Sequence, residues 1–226
     1  MEKYLKQVTK ESAKRIYEQM ENYLYRINNK EIGYFLKIKN KDDKSYFALI
    51  TNSNILKDVD NNQLTVAIEG DPKLIELGDI RYEIEKYDKA IIEIKNNNDI
   101  KYFFDIDNNL FKSELEININ YYKESIYIIQ YDNKDNILVS YGVINEIFNK
   151  EIRYTGNMNT NIKDNIILNL NNNKIIGMDI NKSNCYNKGI FINDLIGRFL
   201  FKINKKPIKL ITDRYKEIKK IMIFLL

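Results

Sequence analysis

The chemistry open to this chain is narrowed first by a residue type it lacks. Histidine is absent, so neither a Ser-His-Asp nor a Cys-His arrangement can form within one chain, because both need an imidazole to move a proton near neutral pH. Histidine-ligated metal sites are excluded with them. Asp105, Asp107 and Asn109 alternate like calcium ligands, but the glycine and the bidentate glutamate of a calcium loop are missing at their offsets. That segment reads as a polar hairpin turn. No GxxxxGK(S/T) or GxGxxG phosphate loop and no CxxC pair is present, so no cofactor and no metal are expected. Cys185 stands alone, which precludes an intramolecular disulfide and reads as an inert thiol in a reducing compartment.

The elements that would position any remaining chemistry show in the apolar pattern. With 226 residues and 44% hydrophobic content the chain can build one large domain or two small ones with real cores. Its 36 basic and 32 acidic residues give a net charge of +4 and are interleaved along its length, which is a solvated mixed surface and not a nucleic-acid footprint. Residues 1–22 read as an amino-terminal amphipathic helix, with Leu5, Val8, Ile16, Met20 and Leu24 partly sharing a face from residue 3 onward. Acidic residues interleave with basic ones there, so packing on the chain's own domain is expected over a membrane surface. No stretch reaches the roughly 18 apolar residues of a membrane span and the first residues lack a signal-peptide core, so a cytoplasmic location is expected.

From Tyr23 onward short Ile/Tyr/Phe runs alternate with Asn, Asp, Lys and Gly. Strands are expected at 23–27, 34–38, 46–50, 64–68 and 89–94, and again at 125–131, 137–144, 166–170, 174–179 and 189–192. Two runs of about five or six strands make two small barrels or sheets, joined near residues 115–122. The first barrel is placed at 23–115 and the second at 120–205. A short closing helix at Asp194–Phe201 takes Asp194 as its capping acid, and an apolar and basic tail occupies 206–226.

Three segments in order carry a resemblance. Gly33-Tyr34-Phe35-Leu36-Lys37-Ile38 is followed by Tyr46-Phe47-Ala48-Leu49-Ile50-Thr51-Asn52-Ser53-Asn54-Ile55-Leu56. Tyr87-Asp88-Lys89-Ala90-Ile91-Ile92-Glu93-Ile94 comes next, and then Asn161-Ile162-Lys163-Asp164-Asn165-Ile166-Ile167-Leu168-Asn169-Leu170 with Lys174-Ile175-Ile176-Gly177-Met178-Asp179. Together they resemble the trypsin-like serine peptidase family, in its intracellular, disulfide-free branch. The family reads G-x-G-F-F, then a strand ending L-I/M-T-N-N-H, then an aspartate leading a strand, then G-D/S-S-G-G/S-P-I/L-L-N and, a few residues on, K/R-V/L-I/V-G-I/M-H. Asn187-Lys188-Gly189-Ile190-Phe191-Ile192 is similar to its strand beside the specificity pocket.

The resemblance implies a mainly β fold of two perpendicular barrels with the active site between them. It puts Asn54 at the histidine position, Asp88 at the aspartate position and Lys163 at the serine position. Asn161, Ile162 and Asp164 fall on the oxyanion loop, and Gly189 and Phe191 fall on the pocket-side strand. An amide cannot act as the base, and a lysine attacking a carbonyl makes a Schiff base without a proton shuttle. Asn161 and Asp164 tolerate left-handed conformations better than most residues, so the loop could persist as a turn with misaligned donors. A dyad of Ser53 and Lys163 is disfavoured, since the residue before the histidine position points another way. Lys163 is expected to reach Asp88 or Asp164 and neutralise it in the old cleft.

The reading that follows is a catalytically inactive peptidase homologue that holds a protein or an extended peptide in the inter-barrel cleft. Its rivals are an active endopeptidase using non-standard residues and a structural subunit of a larger assembly.

Overall fold

A computed structural model describes residues 6–28, 31–39, 43–59, 62–68, 71–95, 99–131, 136–156, 165–182 and 186–204. The first half forms β1 (Tyr25–Ile27), β2 (Glu31–Lys39), β3 (Ser45–Asn52), β4 (Gln63–Ile68), β5 (Asp71–Ile84) and β6 (Lys89–Ile94). The second half forms β7 (Ser125–Tyr131), β8 (Ile137–Phe148), β9 (Glu151–Gly156), β10 (Ile166–Asn169), β11 (Ile175–Lys182) and β12 (Asn187–Phe191). Each set closes into an antiparallel barrel, in the order β1-β2-β3-β6-β5-β4 and β7-β8-β9-β12-β11-β10. The connectivity is the same in both halves, and closure removes the free strand edges that would invite aggregation.

Burial on two faces explains why some strands read so plainly. In β2, β3 and β6 one set of side chains, including Phe35, Leu49, Ala90 and Ile92, fills the interior of the first barrel. The alternate set, including Tyr34, Leu36, Ile50 and Ile91, joins a larger core that continues into the second barrel. A strand covered on both sides needs a continuous apolar run rather than alternation, which is what YFL, ALI and AII supply.

Two strands that the sequence reading leaves out are β5 and β9. In β5 the only buried side chains are Ile75, Leu77 and Ile80, Pro72 and the buried Gly78 interrupt the pattern, and the register with β6 shifts between Leu77 and Arg81. A Cβ at Gly78 would collide with the Glu93 side chain, so the glycine marks a close approach between strands. In β9 only Ile152 and Tyr154 are buried apolar residues.

The helices depart from expectation more than the strands. The first, α1, spans Lys10–Asn22 and leaves residues 6–9 of the expected helix outside it, because the Thr9 hydroxyl caps it by accepting from the Ser12 amide at 3.0 Å; residues 1–5, Leu5 included, lie outside the described residues. Its buried residues are Ser12, Ile16 and Gln19, so the docked face is half polar, while Val8 precedes the helix and is exposed. Helix α2 (Glu114–Tyr121) occupies the stretch taken as a polar junction and opens on a capping box of Ser113 and Glu116. Helix α3 covers 193–204, longer than the expected Asp194–Phe201. Asp194 lies in its first turn instead of capping it, and its carboxylate pairs with Lys150 at 3.0 Å and Arg198 at 3.1 Å.

The chain between the barrels is not a hairpin at Asp105–Asn109. The Phe104 amide donates to the Phe35 carbonyl at 2.9 Å, after which the Asp107 amide donates to the Ile175 carbonyl at 3.0 Å and the Ile175 amide to the Asp105 carbonyl at 2.9 Å. The connector thus adds one parallel bridge to each barrel. Asp107 is 2% exposed. Its carboxylate accepts from the Asn109 amide and from the side-chain amides of Asn169 and Asn172 at 3.1, 3.1 and 3.0 Å, which satisfies a buried acid with uncharged donors.

Candidate functional site

The two positions that sequence assigns to the base and the acid, Asn54 and Asp88, both lie just beyond one end of the β3–β6 ladder. Asn52 pairs with Lys89 as the last rung, and the Ser53 amide donates to the Asp88 carbonyl oxygen at 3.0 Å. Beyond that bond, Ser53–Asp58 turns into a short 3-10 helix capped by Asn52, whose side chain accepts from the Asn54 amide at 3.0 Å. Asn54 is exposed, and its Oδ1 accepts from Lys57 Nζ at 3.3 Å. Ser53 is 5% exposed.

The expected reach of Lys163 to Asp88 lies outside the described residues. The Asp88 side chain is exposed and its φ is 52°, in the left-handed region that Asp tolerates better than most residues. Among the described residues no side chain forms a hydrogen bond or ion pair with its carboxylate. Lys163, with Asn161, Ile162 and Asp164, lies outside the described residues, as does Cys185.

A half-buried polar group at this seam is supplied mainly by the second barrel. Asp179 of β11 accepts from the Tyr154 hydroxyl of β9 at 2.8 Å and from Asn165 Nδ2 at 3.4 Å. Burial raises its carboxyl to about 6, even though those hydrogen bonds and the charge of Lys89 favour the ionised form. The Tyr154 hydroxyl is pushed up in turn, first by burial and then by the charge of Asp179. Lys89 directly follows Asp88, belongs to the first barrel and is 3% exposed. A buried cation of one barrel and a mostly buried acid of the other therefore sense each other across the seam.

A second inter-barrel contact lies on the outside. Lys86 Nζ and the Tyr87 hydroxyl both meet Glu151 Oε1 at 3.2 Å. Burial opposes ionisation of Glu151, but the bonds from Lys86 and Tyr87 prevail and hold its carboxyl below the usual range.

Of the expected pocket-side residues, Gly189 pairs with Asp179 in the β11–β12 register. A Cβ there would collide with Ile167 Cδ1 and stand 2.8 Å from the Met178 carbonyl oxygen, so only glycine lets β12 approach so closely. Phe191 is buried, stacks obliquely on Tyr121 with ring centroids 5.3 Å apart, and lines a small cavity beside α2.

Sequence reasoning missed Asp179, Tyr154, Asn165 and Lys89 as a group. The available signal was Asp179 itself, an acid ending the apolar run Ile175–Met178.

Two closed six-stranded barrels of identical connectivity, with the β3–β6 end and the β11–β12 strands at their seam, define the double β-barrel fold of trypsin-like peptidases. The protease domain of MamO from Magnetospirillum magneticum, solved in its apo form, is similar at a TM-score of 0.51 and 9% identity, across 80% of this chain and 98% of that one. At that identity the likeness shows the fold alone. No family model matches the chain, and no curated protein matches it.

Proposed function

We propose that this protein is a catalytically inactive homologue of trypsin-like peptidases, a pseudoprotease that binds a protein or an extended peptide at the seam between its barrels. One observation carries the reading. At the turn after β3, beside the Asp88 backbone, where a peptidase of this fold needs a base, the chain places Asn54, and no histidine exists elsewhere in it. An amide does not take up a proton in the useful pH range. The lysine at position 163 supplies no hydroxyl nucleophile.

Binding without turnover is supported by what the seam still carries. A peptide there would meet Asp179, which is only partly covered and is backed by the buried Tyr154 hydroxyl that it accepts from, an acceptor in a partly desolvated place. Both barrels are closed, so the partner docks against the seam rather than extending a free sheet edge.

The test is labelling of the folded full-length protein with a serine-directed fluorophosphonate, beside an active trypsin-like enzyme and a heat-denatured sample, with the adduct located by mass spectrometry. No adduct on the folded protein is expected. A specific adduct on Ser53 or another serine, accompanied by cleavage of a denatured protein substrate, overturns the reading.

A further inference from the structure

Ile117 of α2, Ile147 of β8 and Phe191 of β12 floor the cavity of about 200 Å³ beside α2. Ile117 and Phe191 are buried and Ile147 is half-buried, so the floor is apolar. The charges stand at the rim, where Lys112, Glu114 and Lys150 line the cavity and are all exposed. None of Asn54, Asp88, Tyr154 and Asp179 lines it, so this is a different place from the seam.

The three rim charges are not equivalent. Lys150 is committed, because its ammonium pairs with Asp194 at 3.0 Å while its carbonyl accepts from the Phe191 amide at 3.2 Å. Lys112 and Glu114 flank Ser113, whose amide and hydroxyl both donate to Glu116 Oε2, at 3.1 and 2.6 Å. That capping box fixes the turn between the two charges and occupies Glu116, but not Glu114. Among the described residues neither the Lys112 ammonium nor the Glu114 carboxylate forms a hydrogen bond or an ion pair, with each other or with any other group. The half-buried side-chain amide of Asn118, one turn along α2 from Glu114, lines the same cavity and has no partner among them either.

We propose that the cavity binds a free α-amino acid with an apolar side chain of about the size of leucine. Such a molecule joins a carboxylate, an ammonium and an apolar body at one carbon, and the cavity sets an uncommitted cation, an uncommitted anion and an amide around an apolar floor. Its carboxylate meets Lys112, its ammonium meets Glu114, and its side chain lies on Ile117, Ile147 and Phe191. A simple organic anion would bring a like charge to Glu114, and a simple amine would bring one to Lys112. Size agrees as well, since pockets for drug-sized ligands hold roughly 300–1,000 Å³ and this one is smaller.

Calorimetric titration of the full chain with L-leucine, near neutral pH and at low salt, is the test. Saturable binding is expected, with a half-point on the order of 0.1–1 mM. Isocaproate lacks the ammonium and isoamylamine lacks the carboxylate, so each is expected to bind roughly tenfold more weakly. Glu114→Gln and Lys112→Met should each weaken leucine by about the same factor. Both positions are exposed, and thermal melts verify that the variants fold. Glu114→Gln should also abolish the preference for leucine over isocaproate, which a general loosening of the fold would not do. Absence of binding up to about 10 mM leucine, equal binding of the three ligands, or unchanged leucine binding in both variants overturns the proposal.

Discussion

The Tyr127 hydroxyl donates a 2.6 Å hydrogen bond to Gln19 Oε1, joining a helix that precedes the first barrel to a strand of the second. Gln19 also donates to the Asn173 carbonyl at 2.9 Å, and Asn173 Nδ2 reaches the Ser12 hydroxyl at 2.9 Å. Both Gln19 and Tyr127 are essentially inaccessible, at 1% and 0% exposure. A buried network of this kind is worth little net when complete and costs much when broken, because each orphaned group keeps its desolvation penalty.

Gln19→Ala is therefore expected to destabilise the protein by about 2–4 kcal/mol, and Tyr127→Phe by about 1–2 kcal/mol. The double variant should fall short of the sum by on the order of 1 kcal/mol, since the pair acts as a unit. Urea unfolding of the four proteins measures the coupling. A coupling near zero would mean that the Gln19–Tyr127 bond adds nothing to the docking of α1 beyond its other contacts.

Tyr34 presents the opposite case. It is 1% exposed and its hydroxyl has no hydrogen-bond partner among the described residues, and burial drives its ionisation far above the usual range. Its ring meets Phe104 edge-on, with centroids 6.2 Å apart, in the core shared by the barrels. Tyr34→Phe keeps that contact and removes an unpaired polar atom. It should stabilise the protein by about 1 kcal/mol, read as a higher urea midpoint at unchanged slope.

These two tyrosines show how far a sequence carries the fold and where it stops. Strands β6 and β7 are readable to the residue, because Lys89–Ile94 and Ser125–Tyr131 are buried on both faces and flanked by polar breaks. Strands β5 and β9 are not, because their outward residues are charged and the few inward ones lose their alternation at a bulge or a short length. Helix α1 misleads because Ser12 and Gln19 are buried where apolar residues are expected, and α2 because Leu115 and Ile119 face away from the core. At the site, Asn54 and Asp88 are legible from the strands that frame them. Asp179 and Lys89 are distant in sequence and acquire a joint meaning only when two barrels meet.

Asp179 makes the pH dependence specific. Its folded pKa of about 6 lies above its ordinary value of 3.8, so folding favours the protonated form. The stability this confers is complete below about pH 4 and is lost as pH rises through about 6, a change on the order of 3 kcal/mol. Asp179→Asn keeps an acceptor for Tyr154 and cannot ionise. The variant should match wild type at pH 4 and exceed it by up to that amount at pH 8. Parallel stability curves across this range would show that Asp179 ionises as freely in the fold as in the unfolded chain.

Asp88 is the last group whose conformation calls for a physical reason. Were it kept for a buried ion pair, replacing it would leave an orphaned cation and cost several kcal/mol. The structure instead gives it an exposed side chain, a φ of 52° and a backbone carbonyl bonded to the Ser53 amide. Glycine takes that conformation without a Cβ penalty and preserves the carbonyl. Asp88→Gly is expected to leave stability unchanged or to raise it by up to about 1 kcal/mol. A loss beyond about 1 kcal/mol in urea unfolding, a margin of roughly twice the usual scatter of surface substitutions, would place the Asp88 carboxylate in an ion pair after all. The natural partner to test next would then be Lys163, by asking whether Lys163→Met restores what Asp88→Gly removes.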